Sequence, residues 1–183
     1  MDGDWDDATA AALRARRGDA AAASAFVRAT QADVWRLCAH LGSRQSADDL
    51  TQETYARAFT SLHRFAGRSS VRTWLLGIAR HVCADAVRSA VRERALPAER
   101  ERHGSDPADS VALRALLDGL DPDRREAFVL TQIVGLSYAE AADVCSCPVG
   151  TIRSRVARAR DALVQAYGVT GYGGGPQSRD GTG

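Results

Sequence analysis

The sequence predicts an all-α protein in which two small helical domains are joined by a flexible linker. Aromatic residues make up only 6% of the 183 residues, and the apolar side chains are mostly Ala, Leu and Val, a composition that suits helices better than sheets. Apolar residues recur at steps of three and four along most of the chain. This periodicity is lost over residues 95–109, where two prolines, a glycine and mixed charges indicate a linker.

Three helices are predicted before the linker. The first ends at Gly42, a suitable C-terminal cap, and the second begins at Ser46, with Asp49 completing an approximate capping box. A loop over residues 63–70 separates the second helix from a third, which continues to Arg94. The apolar faces are formed by Phe26, Thr30, Val34, Leu37 and Leu41 in the first helix, by Leu50, Tyr55, Ala58, Phe59 and Leu62 in the second, and by Val71, Leu75, Ile78, Val82 and Ala86 in the third.

The second domain contains a predicted helix-turn-helix. After a leucine-rich helix, Asp121 and Pro122 suit the start of the next helix. Ser137 and Glu140 form a capping box for a short helix, and Pro148, which cannot continue that helix, fits the first turn of the last one. A short helix, a tight turn and a longer helix are the pattern of this motif.

These boundaries divide the chain into five segments. They are an N-terminal extension over residues 1–19, the first helical domain over 20–94, the linker over 95–109, the second helical domain over 110–167 and a glycine-rich tail over 168–183. The composition of the tail predicts disorder.

Charge is distributed unevenly along a chain whose net charge is only +1. Residues 57–94 carry eight arginines and two acidic residues, and residues 151–160 carry four arginines and no acidic residue, whereas residues 1–53 and 95–150 are acidic. Basic segments of this kind are typical of nucleic-acid binding, but they also occur on ordinary solvated helices. Charge alone therefore leaves both interpretations open.

The last helix has the features of a recognition helix. An apolar stripe faces the core, and small residues on the opposite face would let the helix approach the floor of a DNA groove closely. Arginine reads guanine edges in the major groove, and serine or threonine binds phosphates. A surface helix with incidental arginines is the alternative. The stripe is formed by Ile152, Val156, Ala159 and Leu163, and the opposite face by Gly150, Ser154, Ala157, Arg158 and Asp161.

Several function classes lack support in the sequence. No apolar run approaches the roughly 18 residues that span a membrane, and the acidic N-terminus differs from a signal peptide, so we expect a cytoplasmic protein without membrane insertion. The four cysteines lack zinc-ligand spacing and are expected to be small buried thiols. No paired carboxylates, nucleophile with a base, or metal-ligand set stands out. We therefore expect no enzyme activity, catalytic residue, metal or cofactor.

Three stretches of sequence together resemble one protein family. They are DDLTQETY at residues 48–55, RTWLLGIAR at residues 72–80 and CPVGTIRSRVARAR at residues 147–160. Their order and spacing are similar to those of bacterial RNA polymerase sigma factors of the extracytoplasmic-function (ECF) group, group IV of the sigma-70 family, which keeps only the second and fourth conserved regions. The resemblance covers roughly residues 20–167.

The resemblance implies an alternative sigma factor that binds core RNA polymerase, directs it to specific promoters and assists promoter melting. It implies that residues 46–62 contact the clamp helices of the largest polymerase subunit and that region 4 contacts the flap. An anti-sigma protein is a further partner that the resemblance leaves open. A helix-turn-helix repressor or activator that works without polymerase, and a helical adaptor protein, are the alternative functions.

The resemblance also assigns residues to a polymerase-binding surface. These are Asp48, Asp49, Gln52 and Glu53. The spacing of the last three places them on one polar face, and an acidic face with an amide group suits arginines on a partner. A merely solvated helix face is the alternative.

Two DNA-binding surfaces are implied in the same way. Phe65 has a second interpretation, because an aromatic ring at a loop–helix junction more often packs in the core, and Trp74 is expected to be structural. His81 stands where many relatives have asparagine. The residues implied to bind the minus-ten element are Arg64, Phe65, Arg68, Ser69, Ser70, Arg72, Arg80 and His81. The residues implied to bind the minus-thirty-five element are Thr151, Arg153, Ser154, Arg155 and Arg158.

Overall fold

The computed structural model describes residues 2–67, 69–94 and 108–170. Within these ranges the chain forms α-helices and no strand, which confirms the all-α prediction. The helices before the linker are α1 (Asp2–Ala15), α2 (Ala20–Leu41), α3 (Ala47–Ser61) and α4 (Val71–Arg94). The helices after the linker are α5 (Ala108–Asp118), α6 (Pro122–Phe128), α7 (Tyr138–Cys145) and α8 (Val149–Thr170).

The core of the first domain is built around Phe26. Its ring is fully buried and makes edge-on contacts with the rings of Tyr55 and Phe59, each at a centroid distance of 6.1 Å. The Tyr55 hydroxyl lies 2.7 Å from the Thr30 hydroxyl, so this polar group has a partner in the core. Phe59 closes the cluster from outside and remains 41% exposed. The helix faces predicted from the spacing of α2 and α3 therefore meet in one core.

The end of α2 and the start of α3, which border residues 42–46, are capped differently. Gly42 is the C-cap of α2, as predicted, and its N–H donates to the Cys38 carbonyl at 2.9 Å. Ser46 precedes α3 but makes no side-chain cap, so the predicted capping box with Asp49 is wrong. The Ser46 hydroxyl lies 2.6 Å from the Ser43 hydroxyl, and this local pair takes the place of the cap.

A helix precedes the predicted first domain. α1 lies within the predicted N-terminal extension and packs against α2 and α4, with Ala8 and Ala12 buried. Asp19 joins it to α2, because its carboxylate accepts a hydrogen bond from the Ala22 N–H at 2.9 Å and pairs with Arg14. The extension is therefore part of the folded body. Its signal in the sequence is weak because the buried positions are alanines.

The start and stop signals of the second domain are confirmed. Asp121 caps α6, with Pro122 in the first turn. Ser137 and Glu140 form the capping box of α7, in which the Ser137 hydroxyl accepts from the Glu140 N–H at 3.2 Å. Ser146 ends α7 in the left-handed region with φ +52°, which turns the chain into α8. Together α7 and α8 form the predicted helix-turn-helix.

The predicted apolar stripe of α8 is also confirmed. Ile152, Val156 and Ala159 are buried, and Leu163 is half-buried. α6 continues directly into a π-helical segment, Val129–Ile133, which a search for a period of 3.6 residues does not detect.

Two helices extend beyond the bounds predicted for the second domain, residues 110–167. α5 begins at Ala108, and α8 continues to Thr170. The remainder of the predicted linker and tail, residues 95–107 and 171–183, lies outside the described residues. Among the described helices, none combines the length and the apolar character that crossing a membrane requires.

The two domains pack directly against each other. α4 contacts α7, and the π-helical segment contacts α2. One hydrophobic cluster runs through both domains and includes Leu75 and Val82 of α4 together with Leu130 and Val144 of the second domain. We call this packing the closed arrangement.

Candidate nucleic-acid and polymerase interfaces

The predicted polymerase surface is an exposed ridge on α3. Asp49, Gln52 and Glu53 all face solvent, and Asp48 lies exposed beside them. Trp35 of α2 fixes Asp48 by donating from its indole Nε1 to Oδ1 at 2.8 Å. An open groove of about 640 Å³ runs along this face and is lined by Gln31, Ala32, Trp35, Arg36, Asp48, Thr51 and Gln52. The ridge is therefore acidic, exposed and partly held in place.

The 63–70 loop begins in a short 3-10 helix, Leu62–Arg64, and its described residues are exposed except Phe65, which is buried, and Ser70, which is half-buried. Arg64 and Ser69 face solvent. Gly67, also exposed, has φ +69°, a conformation that glycine adopts without strain. At the end of the loop, the Ser70 hydroxyl accepts a hydrogen bond from the Thr73 N–H at 3.2 Å and so supports the first turn of α4.

Three further residues predicted to bind the minus-ten element have different positions. The Phe65 ring is 3% exposed and packs on Trp74 at a centroid distance of 5.0 Å, so it lies in the core and is not placed to stack on a base. Phe65 lies in the core because removing its apolar ring from water is favourable. His81 is exposed on α4, with Nδ1 2.7 Å from the Gly77 carbonyl oxygen. Arg68 lies outside the described residues.

Arg72 and Arg80 are engaged inside the closed arrangement. Arg72 donates from Nε to Asp33 at 2.8 Å and from Nη2 to the Val134 carbonyl at 2.8 Å. Arg80 donates from Nε to Glu126 of α6. Both arginines therefore connect α4 to the second domain.

α8 presents most of the predicted recognition face to solvent. Arg153, Ser154 and Arg158 are exposed on the sides away from the buried stripe. The Ser154 hydroxyl donates to the Thr151 carbonyl at 2.9 Å, and Thr151 itself is half-buried. Arg155 pairs with Asp123 of α6 and is 24% exposed, so in the closed arrangement it helps to hold α8 on α6.

The cysteines fill the interior. Cys38, Cys83 and Cys145 are buried and Cys147 is half-buried, as expected for small thiols. Burial raises the pKa of the Cys145 thiol to about 12, so it is neutral near pH 7. The described residues contain no group of three or more His, Cys, Asp or Glu side chains that could hold a metal ion.

The chain matches two protein-family models, one for each domain. The model described as Sigma-70 region 2 matches residues 26–93, and the model described as Sigma-70, region 4 matches residues 110–163. The ECF RNA polymerase sigma factor SigC of Mycobacterium tuberculosis is 54% identical over 165 residues, which cover 85% of this chain and 89% of that protein. The chain belongs to the ECF sigma factor family. The ECF sigma factor EcfG of Rhodopseudomonas palustris is 40% identical over 129 residues, covering 67% of this chain and 71% of that protein.

Two solved structures have a similar fold. CnrH, determined in complex with the cytosolic domain of CnrY, has a TM-score of 0.75 and 26% identity, covering 89% of this chain and 98% of that chain. The sigma factor RpoE of Bartonella quintana, determined with the anti-sigma factor NepR, has a TM-score of 0.67 and 30% identity, covering 78% and 94%. As a sigma factor, this chain acts in promoter-directed transcription initiation.

In this sigma factor the second domain caps the end of α2. The last carbonyl groups of an α-helix have no partner inside the helix and carry partial negative charge. Arg114 donates to the carbonyls of Ala39 at 3.1 Å and Gly42 at 3.0 Å, and Arg125 donates from Nε to the carbonyl of His40 at 2.8 Å. The role of these arginines was not predicted from the sequence. No local signal separates them from ordinary surface residues, because their partners lie more than 70 positions away.

The imidazole of His40 lies among these positive charges. Its partial burial, together with the charges of Arg114, Arg125 and Arg44, lowers the pKa of His40 below its ordinary value of 6.5. The neutral ring is therefore the form that suits the closed arrangement.

Acidification should destabilise the protein through His40. Because the pKa is lowered in the folded state, the unfolded chain takes up the proton first, so this contribution to stability is present above pH 6.5 and is lost as the pH falls below it. We expect the free energy of unfolding, measured by urea denaturation, to decrease between about pH 7.5 and about pH 5.5. His40→Gln, which cannot take up the proton, should show a smaller decrease. An equal decrease in both proteins would exclude His40 as the cause.

Proposed function

We propose that this sigma factor binds core RNA polymerase through the acidic ridge of α3 and reads the promoter through two separate surfaces. The observation that best supports this is the exposed face of α8, where Arg153, Ser154 and Arg158 stand away from a buried apolar stripe in a member of the ECF family. An exposed guanidinium on such a helix has the reach and the donors to contact a guanine edge. We assign this face to the minus-thirty-five element.

The ridge formed by Asp48, Asp49, Gln52 and Glu53 is assigned to the clamp helices of the largest polymerase subunit. Exposed carboxylates beside an amide can form charge-assisted hydrogen bonds with arginines of a partner. The second domain is assigned to the polymerase flap. In this proposal the energy of binding opens the DNA strands, so we assign the chain no enzyme activity. We place its action in the cytoplasm, where the chromosome is.

The minus-ten element is assigned to the 63–70 loop and to α4. The exposed Arg64 and Ser69 offer a cation for phosphates and a hydroxyl for a base edge. Arg72 and Arg80 would join this surface after they leave their partners in the second domain. Binding of the minus-ten strand by these arginines therefore requires the closed arrangement to open. Arg68 stays a prediction.

We assign an anti-sigma protein as a further partner. CnrH and RpoE, both similar in fold to this chain, were determined in complex with CnrY and with the anti-sigma factor NepR. A partner that stabilises the closed arrangement would keep Arg72 and Arg80 on protein groups rather than on DNA.

Reconstituted transcription tests this function directly. Core polymerase supplemented with the purified chain should produce run-off transcripts from a subset of promoter fragments taken from the genome that encodes it, and core polymerase alone should not. Sequencing of the transcript starts would then define the minus-ten and minus-thirty-five elements. Absence of any chain-dependent transcript across such a set contradicts the proposal.

Arg158→Ala should weaken binding to duplex DNA that carries the minus-thirty-five element. Loss of a contact to a base edge should reduce the binding free energy by about 1–3 kcal/mol and relax sequence preference at one position. Fluorescence anisotropy with a labelled duplex measures both effects. Arg28→Ala removes an exposed arginine from α2 and is the matched control. The assignment fails if the two variants lose affinity equally.

Glu126→Gln should increase binding to a single-stranded minus-ten oligonucleotide. The substitution removes the carboxylate that pairs with Arg80 and so frees this arginine for phosphate. For a partly buried pair worth roughly 1 kcal/mol, the gain is about five-fold in affinity. Asp85→Asn removes a carboxylate from an exposed ion pair within the first domain and controls for net charge. Similar gains in both variants would mean that only net charge matters.

A further inference from the structure

We propose that α1 is a positioning element for the minus-ten strand, because it holds the 63–70 loop through Thr9, Leu13 and Arg16. This inference rests on the proposed assignment of that loop to the minus-ten element. α1 lies outside the Sigma-70 region 2 match, which begins at residue 26. Its contacts with the loop are therefore separate from the α3 ridge and from the exposed face of α8.

Arg16 holds the beginning of the loop. Its Nη1 donates to the Phe65 carbonyl oxygen at 2.7 Å, across 49 positions of sequence. The Phe65 ring is fixed in the core against Trp74, so both the backbone and the side chain of this residue are held. A hydrogen bond from a guanidinium is stronger than one between neutral groups. The contact therefore fixes the backbone between the exposed Arg64 and the exposed Gly67.

Leu13 and Thr9 hold the middle and the end of the loop. The Leu13 methyl groups lie 3.6 and 3.8 Å from the position that a Cβ on Gly67 would occupy, which is ordinary packing distance. The Thr9 hydroxyl accepts a hydrogen bond from the Val71 N–H at 3.2 Å. That N–H begins α4, where the helix itself offers no acceptor. α1 therefore contacts the loop near its start, at its middle and just beyond its end.

α1 itself is firmly placed. Ala8 and Ala12 are buried where it packs on α2 and α4, and Asp19 links it to the start of α2. The exposed groups assigned to DNA, Arg64 and Ser69, lie within the loop that α1 contacts. A loop held in shape before binding loses less conformational freedom when it takes up a base. The expected role of α1 is therefore to favour strand opening rather than initial recognition of the duplex.

The test compares Arg16→Ala with Arg17→Ala in the holoenzyme, on a promoter that the wild-type holoenzyme opens. Arg17 is exposed one position away, and its removal changes the net charge equally. The initial binding constant and the rate of strand opening are measured separately. We expect Arg16→Ala to slow opening about five-fold while initial binding changes less than about two-fold, and Arg17→Ala to change neither. Arg16→Lys keeps a cationic donor and should restore part of the rate.

Two outcomes overturn the proposal: equal opening rates for Arg16→Ala and Arg17→Ala, or a parallel loss of initial binding and opening, which indicates a general loss of structure. Thr9→Val provides a second measurement should Arg16→Ala fail to fold. It removes the acceptor for the Val71 N–H, whereas the control Thr9→Ser keeps it, so only Thr9→Val should slow opening. A wild-type holoenzyme that opens no promoter contradicts the proposed function instead.

Discussion

The carboxylate of Asp33 lies in the interior of the protein, where its charge has to be matched. Arg36 and Arg72 each donate to one of its oxygens at 2.8 Å, and Arg72 also donates to the Val134 carbonyl. A charge buried on α2 thereby joins α4 and the second domain in one network. The position of α4, and of the 63–70 loop that leads into it, depends on this network, because an unpaired charge in the interior is strongly destabilising.

The polar contacts between the domains are largely made by arginines. Arg80 binds a carboxylate of α6, and Arg114 and Arg125 bind the carbonyl groups at the end of α2. A guanidinium that leaves a carboxylate can bind a phosphate with similar geometry, so an arginine such as Arg80 can exchange one partner for the other. The side chains of the shared hydrophobic cluster, in contrast, are apolar and cannot exchange their protein contacts for contacts with phosphates. The domains are thus joined by an apolar contact and by arginine contacts, of which the one made by Arg80 can be exchanged for a phosphate.

The sequence was sufficient for features that depend on neighbouring residues. The capping box at Ser137 and the buried stripe of α8 follow from local spacing, and both are present. The features that were missed depend on the tertiary structure. The packing of α1 uses alanines with little periodic signal, and Arg114 and Arg125 act on a helix far away in the sequence.

The hydrophobic cluster that runs through both domains limits how far they behave as interchangeable modules. Consider a hybrid factor whose helix-turn-helix domain comes from another family member. It would carry that member's last helix, and it would also present that member's side chains to α2 and α4. Without counterparts of Arg114 and Arg125, the end of α2 would lose its hydrogen-bond donors from the second domain. The second domain therefore carries both the face that we assign to the minus-thirty-five element and the side chains that fold it back on the first domain.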